Sequence, residues 1–228
     1  MAAVFTETAN PGFQYINWGS ATATFSDVSI GTASADRIVV VFANCGWSAG
    51  ASTDDFTIGG TSATEAASSG GGSSALYYLA VPSGTTATIV WTCTGPTPSF
   101  SHAGIQVGIL TGSASSPTAT TTKTFGYDPD PQSFISTLNL PENGVGLAGI
   151  QNASGKTPSW SNATAVYYAE RTEGNTISAA LAKHSTASAS WAPTVSGYSY
   201  AGTTMVAATW GPAAGGASPG SITTTITL

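Results

Sequence analysis

Apart from its hydroxyl side chains and three lysines, the chain carries two histidines, eleven carboxylates and two cysteines as the groups able to do acid–base, nucleophilic or metal chemistry. The histidines stand in Ser101-His102-Ala103 and Lys183-His184-Ser185. A serine hydrolase needs a histidine beside the nucleophile and a carboxylate to orient it, and the serine is often presented on a sharp strand-to-helix turn. No nucleophile-elbow pattern is read near any serine. His102 reads as the entrance of a strand whose counterpart later in the chain is Tyr200, a poor general base. Glu170 and Glu173 flank Arg171 and run into Glu173-Gly174-Asn175. That is turn chemistry, so a solvated hairpin is expected rather than a glycosidase pair. Asp54-Asp55 and Asp128-Pro129-Asp130 are the only other acidic clusters worth weighing, and neither has the spacing of a calcium loop. The expectation is a protein that is not an enzyme, with no catalytic residue, no metal and no cofactor.

Composition explains why so little chemistry is available. Of 228 residues, 36 are Ala, 27 Gly, 30 Ser and 35 Thr, while charged residues make up 7%, against about 25% in a typical soluble domain. A 41% hydrophobic and 10% aromatic content still suffices for a core. Five Lys and Arg against eleven Asp and Glu give a net charge of −6 and a pI near 4.5, which leaves no basic patch for nucleic acid. The longest apolar run, 38–43, is far below the roughly 20 residues of a membrane span. The opening MAAVFTETANPGF has neither a basic start nor an apolar stretch, so it reads as no secretory leader and synthesis in a cytoplasm is expected. Cys45 and Cys93 are then expected to remain unbridged thiols.

The elements that must position any site are strands. Thr, Val, Gly and Ser dominate, and runs bounded by Gly, Pro, Ser or Asn predict strands over 37–44, 74–81, 86–92, 104–110, 134–140, 163–169, 176–182 and 203–210. In 104–110, Ile105, Val107 and Ile109 form a core face, leaving Gln106 and Gly108 on a solvent face. A repeat of about one hundred residues runs through the chain: Thr86, Ala87 and Trp91 recur as Thr186, Ala187 and Trp191, and Ser101, Ala103 and Gly104 recur as Ser199, Ala201 and Gly202. The reading is an all-β, jelly-roll-like or Greek-key sandwich built from two similar halves, 36–126 and 133–212. One shared sandwich is favoured over two small ones, since each half offers few large core residues. Residues 1–35 are set aside as an N-terminal extension. Residues 213–228 are a linker followed by a strand whose apolar face is Ile222, Ile226 and Leu228. Such a strand is expected to add to a sheet edge, on a neighbouring subunit or on its own domain.

Aromatic residues are the remaining candidates for contact. Tyr77-Tyr78 and Tyr167-Tyr168 point to opposite faces of their strands, so one of each pair looks outward. Trp18, Trp47, Tyr78, Trp160, Tyr168 and Tyr198 are the interaction candidates, with the tail residues. Outward rings with few charges suit protein interfaces or sugar stacking, and the charge deficit favours interfaces.

The stretches RIVVVFANCGW, FTIGGTSATEAA, SSALYYLAVPSGTTATIVWT and AGIQVGILTG resemble a group of β-rich virion proteins of tailed bacteriophages, found among head-decoration and minor tail genes. The resemblance covers roughly 36–126 and more weakly 133–210. It implies a non-enzymatic structural protein on the capsid or tail surface of a virion, partnered by other virion proteins and by copies of itself. The alternative is a carbohydrate-binding or host-adhesion module whose partner is a host surface glycan. A binding module should gather exposed rings into one platform, and a structural subunit should bury them.

Overall fold

The computed structural model describes residues 1–15, 22–45, 52–69, 74–94, 102–124, 132–133, 138–152, 157, 159–171, 177–196 and 204–214, and these contain strands and no helix. The first strands are β1 (Val4–Tyr15), β2 (Thr22–Ser29), β3 (Ile38–Cys45), β4 (Ser52–Ile58), β5 (Thr61–Ser62), β6 (Thr64–Ser68), β7 (Ser74–Ala80), β8 (Thr86–Thr94) and β9 (His102–Thr111). They form an inner sheet of order β1-β9-β3-β7-β6 and an outer sheet of order β2-β8-β4-β5, all antiparallel.

The chain then repeats this plan. β10 (Ala119–Thr124), β11 (Gln132–Ser133), β12 (Leu138–Leu140), β13 (Val145–Asn152), β14 (Ser159–Ser161), β15 (Thr164–Arg171), β16 (Ile177–His184), β17 (Ser188–Trp191), β18 (Thr194–Ser196) and β19 (Thr204–Trp210) follow. Their inner sheet has the order β10-β19-β13-β16-β15, strand for strand the order of the first. The outer strands pair as β12-β17 and β11-β18-β14.

Three cores separate four layers. The first, between the outer and inner sheets of the first half, contains Phe25, Phe56, Trp91, Val39, Val41, Ile105 and Val107. The third, in the second half, contains Leu138, Leu140, Ile150, Trp191 and Met205. The second lies between the two inner sheets, where Phe5, Ile38, Val40, Phe42 and Leu110 meet Val145, Leu147, Leu181, Val206 and Trp210. A strand with cores on both faces has no reason to alternate, and every residue of β3 is buried.

The halves are therefore two sandwiches packed back to back, which corrects the expectation of one shared sandwich. Each half does hold few large residues, and the central core supplies the burial that either sandwich alone would lack. The boundaries differ as well. Residues read as an N-terminal extension supply β1 and β2, edge strands of the first half, and β10 belongs to the second half although it falls within 36–126.

The two inner sheets are related by an approximate two-fold axis along the strands. Lys183 of β16 reaches Glu7 of β1. The Gln106 amide of β9 donates to Ala179 O of β16 at 3.2 Å, and the Ser74 hydroxyl of β7 meets Thr204 Oγ1 of β19 at 2.7 Å. On the axis, β3 crosses β13 so closely that a Cβ on Gly149 would stand 2.4 Å from the Phe42 ring. The same crowding overturns the solvent face expected for Gln106 and Gly108. Gln106 is 1% exposed, and a Cβ at Gly108 would lie 2.2 Å from the Phe5 ring. Small residues there mark close approach of a second sheet rather than water.

Candidate functional site

The residues singled out for contact do not gather. Tyr78, on β7, is half-buried with its ring 6.1 Å from Trp210 and edge-on to it. Trp160, on β14, packs half-buried against the third core, and its indole N–H is buried without a hydrogen-bond acceptor. Tyr168 lies in β15 opposite Ala180, and its side chain is outside the described residues. Trp18, Trp47, Tyr198, Ile222, Ile226 and Leu228 are outside them too. Among the described residues no aromatic ring is exposed, and the exposed large apolar side chains are Met1 and Val4. The second Cys side chain, Cys93, lies outside the description, while Cys45 is buried in the first core.

The acid–base candidates are equally scattered. His102 is 2% exposed, with Phe13 edge-on at 5.7 Å. His184, half a molecule away in sequence, stacks parallel to Trp191 at 5.9 Å. Asp55 is exposed opposite Thr92 of β8. The side chains of Asp54 and Glu170, and the whole of Glu173, Asp128 and Asp130, fall outside the described residues. Among the described residues, no three His, Cys, Asp or Glu side chains could share a metal. One signal escaped the reading of the sequence: Gly-x-Ser-x-Gly occurs at Gly46-Trp47-Ser48-Ala49-Gly50 and again at 216–220. Both lie outside the described residues. The strand before the first, β3, is followed by strand β4 rather than by the helix that an elbow requires.

Chemistry missed by the sequence sits at the seam of the inner sheets. Glu7 and Lys183 approach to 3.5 Å with side chains 43% and 37% exposed, an ion pair of small net value. Beside them the Tyr167 hydroxyl donates to Val107 O at 2.9 Å. Burial, and then the Glu7 carboxylate, push this phenol up to about 12. A proton held more tightly in the folded state makes stability fall as the solution turns alkaline. The contribution of Tyr167 is thus intact below its ordinary value of 10 and is lost as pH rises through about 12. Chemical denaturation of the protein and of Tyr167→Phe across that range should show the stability gap between them closing with pH. A gap that stays constant would mean that the phenol is not held in this way. A recess of about 290 Å³ lies close by, lined by Val4, Phe5, Val145, Lys183 and His184. Another, of about 340 Å³, lies between β1 and β2 beside Asn10, Gln14 and Asp27. Neither collects the set of convergent polar groups expected of a reaction centre.

What the fold does present is edges. A strand at the edge of a sheet exposes unpaired backbone groups that invite another chain, and bulges are one way of blunting it. β1 breaks register between Glu7 and Ala9 and again before Gly12. β6 breaks it between Glu65 and Ala67, and β15 between Ala165 and Tyr167. β10 alone among the inner-sheet edges pairs without a break, through six successive residues from Ala119↔Thr209 to Thr124↔Thr204. No residue of β10 is fully buried, and among the described residues no strand pairs with its outer side.

Compared with known proteins, the chain matches no family model, no curated sequence and no solved structure.

Proposed function

We propose that the protein is a non-enzymatic structural component of a tailed-phage virion, decorating the capsid or tail surface through contacts between subunits, and that each half is a jelly-roll-like Greek-key sandwich. Strand order carries this reading. In the first half β5 and β6 form one stretch bent at Ala63 between the outer and inner sheets, leaving eight strands. The inner sheet takes the first, eighth, third and sixth of these and the outer sheet the second, seventh and fourth, with the fifth shared between them as β6 and β5. That interleaving is the order produced by two Greek keys wound together, and such double-sheet rolls recur in viral capsid proteins and in lectins.

Fold alone does not choose between those two uses. The placement of aromatic rings favours the structural one: Tyr77 is stacked at 4.1 Å on Phe56 inside the first core, Tyr78 leans on Trp210, and Trp160 packs on the third core. These rings form no flat exposed platform of the kind that sugar rings require. The resemblance of residues 36–126 to virion proteins supplies the class of particle. Mass spectrometry of purified phage particles tests the proposal, with peptides of this chain expected at an abundance comparable to other surface proteins. Their absence from particles, together with glycan binding by the isolated protein, would move the assignment to the lectin class.

A further inference from the structure

We infer that the outer edge of β10 receives residues 221–228 of a second copy of this chain as an added antiparallel strand. The inference requires no virion, so its failure would leave the structural role to be decided by particle analysis. Three observations converge on it.

The first is the edge itself. β10 is ATTTKT, regular over its whole length, with Lys123 its one charge, whereas the other inner-sheet edges are bulged. A flat, uninterrupted edge left in that condition is a template for pairing. The second is the donor. SITTTITL contains no Gly, Pro or charge, is built almost wholly of β-branched residues and alternates Ile222, Ile226 and Leu228 with Thr223, Thr225 and Thr227. Residues of this kind favour strands, but a single strand in water finds no partner for its backbone or its apolar face. Main-chain bonds to an open edge supply both affinity and direction.

The third observation decides whose edge is used. After Trp210 the chain does not turn toward its own β10. Gly211 O accepts from Ala114 N–H, Pro212 pairs with Ser113, and Ala213 N–H donates to Gly112 O at 2.8 Å. Residues 211–213 thus run back along 112–114, away from Ala119 and toward the end of β9, where Gly112 abuts Ala2. Only 215–220 remain before Ser221. An antiparallel strand on the same copy would have to begin beside Thr124, at the far end of β10. The length of β10 is about 20 Å at 3.3 Å per residue. Seven residue steps from Ala214 to Ser221 reach at most about 25 Å, which leaves almost no slack for the reversal. A parallel strand on the same copy would begin beside Ala119, the end from which residues 211–213 lead away, and would form the slanted, slightly weaker parallel ladder. A second copy offers the antiparallel ladder with neither cost.

Two differently tagged full-length chains test this, one bearing Thr122→Cys on exposed β10 and the other bearing Thr223→Cys, Thr225→Cys or Thr227→Cys in turn. Mixed and mildly oxidised, at least one pair should give a crosslinked species carrying both tags, absent when either partner is wild type. Light scattering should show the full chain as an oligomer and a chain ending at Ala214 at monomer mass, with unchanged circular dichroism. The inference fails if no register crosslinks. It also fails if the doubly substituted single chain closes only on itself at low concentration, or if the shortened chain keeps the oligomeric mass.

Discussion

Arg37→Ala is expected to destabilise the protein by about 3–5 kcal/mol, because it leaves several main-chain carbonyls without their donor and a buried unsatisfied group costs about 1–3 kcal/mol. Arg37 is 1% exposed, and all of its side-chain nitrogens donate to main-chain carbonyls. Nε donates to Val81 O at 2.6 Å. One terminal nitrogen serves Ile30 O at 3.1 Å and Gly31 O at 2.9 Å. The other serves Ser83 O at 2.6 Å and Gly84 O at 3.0 Å. The neighbouring carboxylate of Asp36 is turned elsewhere, accepting from Gly112 N–H at 2.8 Å and from the Ser34 hydroxyl. Burial lowers the guanidinium's pKa from its ordinary value, but an arginine stays cationic there. One side chain thus ties the exit of β2 to the β7–β8 turn. Gly31 and Gly84, at φ of +71° and +77°, adopt the left-handed backbone that glycine accepts without strain where both turns converge on it. Arg37→Lys keeps the charge but lacks the planar fork that serves five carbonyls, so an intermediate loss is expected. Urea denaturation at constant slope measures both variants. A midpoint for Arg37→Ala within experimental error of the parent would show that the turns hold without the clamp.

Nothing in the sequence around Arg37 announced this role, because its partners are carbonyls, which every residue carries. The same limit governs the rest of what was legible. Strands with runs of large apolar residues, such as β3, β7, β9 and β19, stand where the spacing predicted them. β13 was missed because Gly146 and Gly149 break its apolar pattern, yet each faces an aromatic ring: a Cβ at Gly146 would lie 2.6 Å from Trp191. Glycine in a strand can mean a gap that a partner fills, and sequence alone does not show the partner. β1, interrupted by Asn10-Pro11-Gly12, and β10, mostly Thr, exist because β9 and β19 offer them ladders. The pairing in space of Glu7, Tyr167 and Lys183, far apart along the chain, follows from the approximate two-fold axis, and half-sequences compared with each other reveal a repeat without revealing how its copies face.

Trp91→Ala and Trp191→Ala should each cost about 3–5 kcal/mol, the usual range for emptying a buried aromatic site. Both stand on outer-sheet strands: Trp91 on β8 opposite Ala23 and Phe56, Trp191 on β17 opposite Leu138. They are 0% and 2% exposed. A milder substitution reads the polar end of the second indole. The Trp191 indole N–H donates to Asn162 O at 2.7 Å, and Asn162 sits at φ +57° in the turn leading to β15. Trp191→Phe should therefore lose that bond in addition to volume, worth about 0.5–1.5 kcal/mol, and should loosen the turn. The two indoles occupy different cores, with both inner sheets and the central core between them. Effects at sites so separated normally add within about 0.5 kcal/mol, so the double variant should lose the sum of the single losses. A coupling well above that, measured by equilibrium denaturation of the phenylalanine variants if the alanine pair fails to fold, would show that the inner sheets pass strain from one sandwich to the other. Additivity would instead establish the central core as a rigid partition between two separately packed halves, able to keep both edges of the assembly in place while either outer sheet is altered.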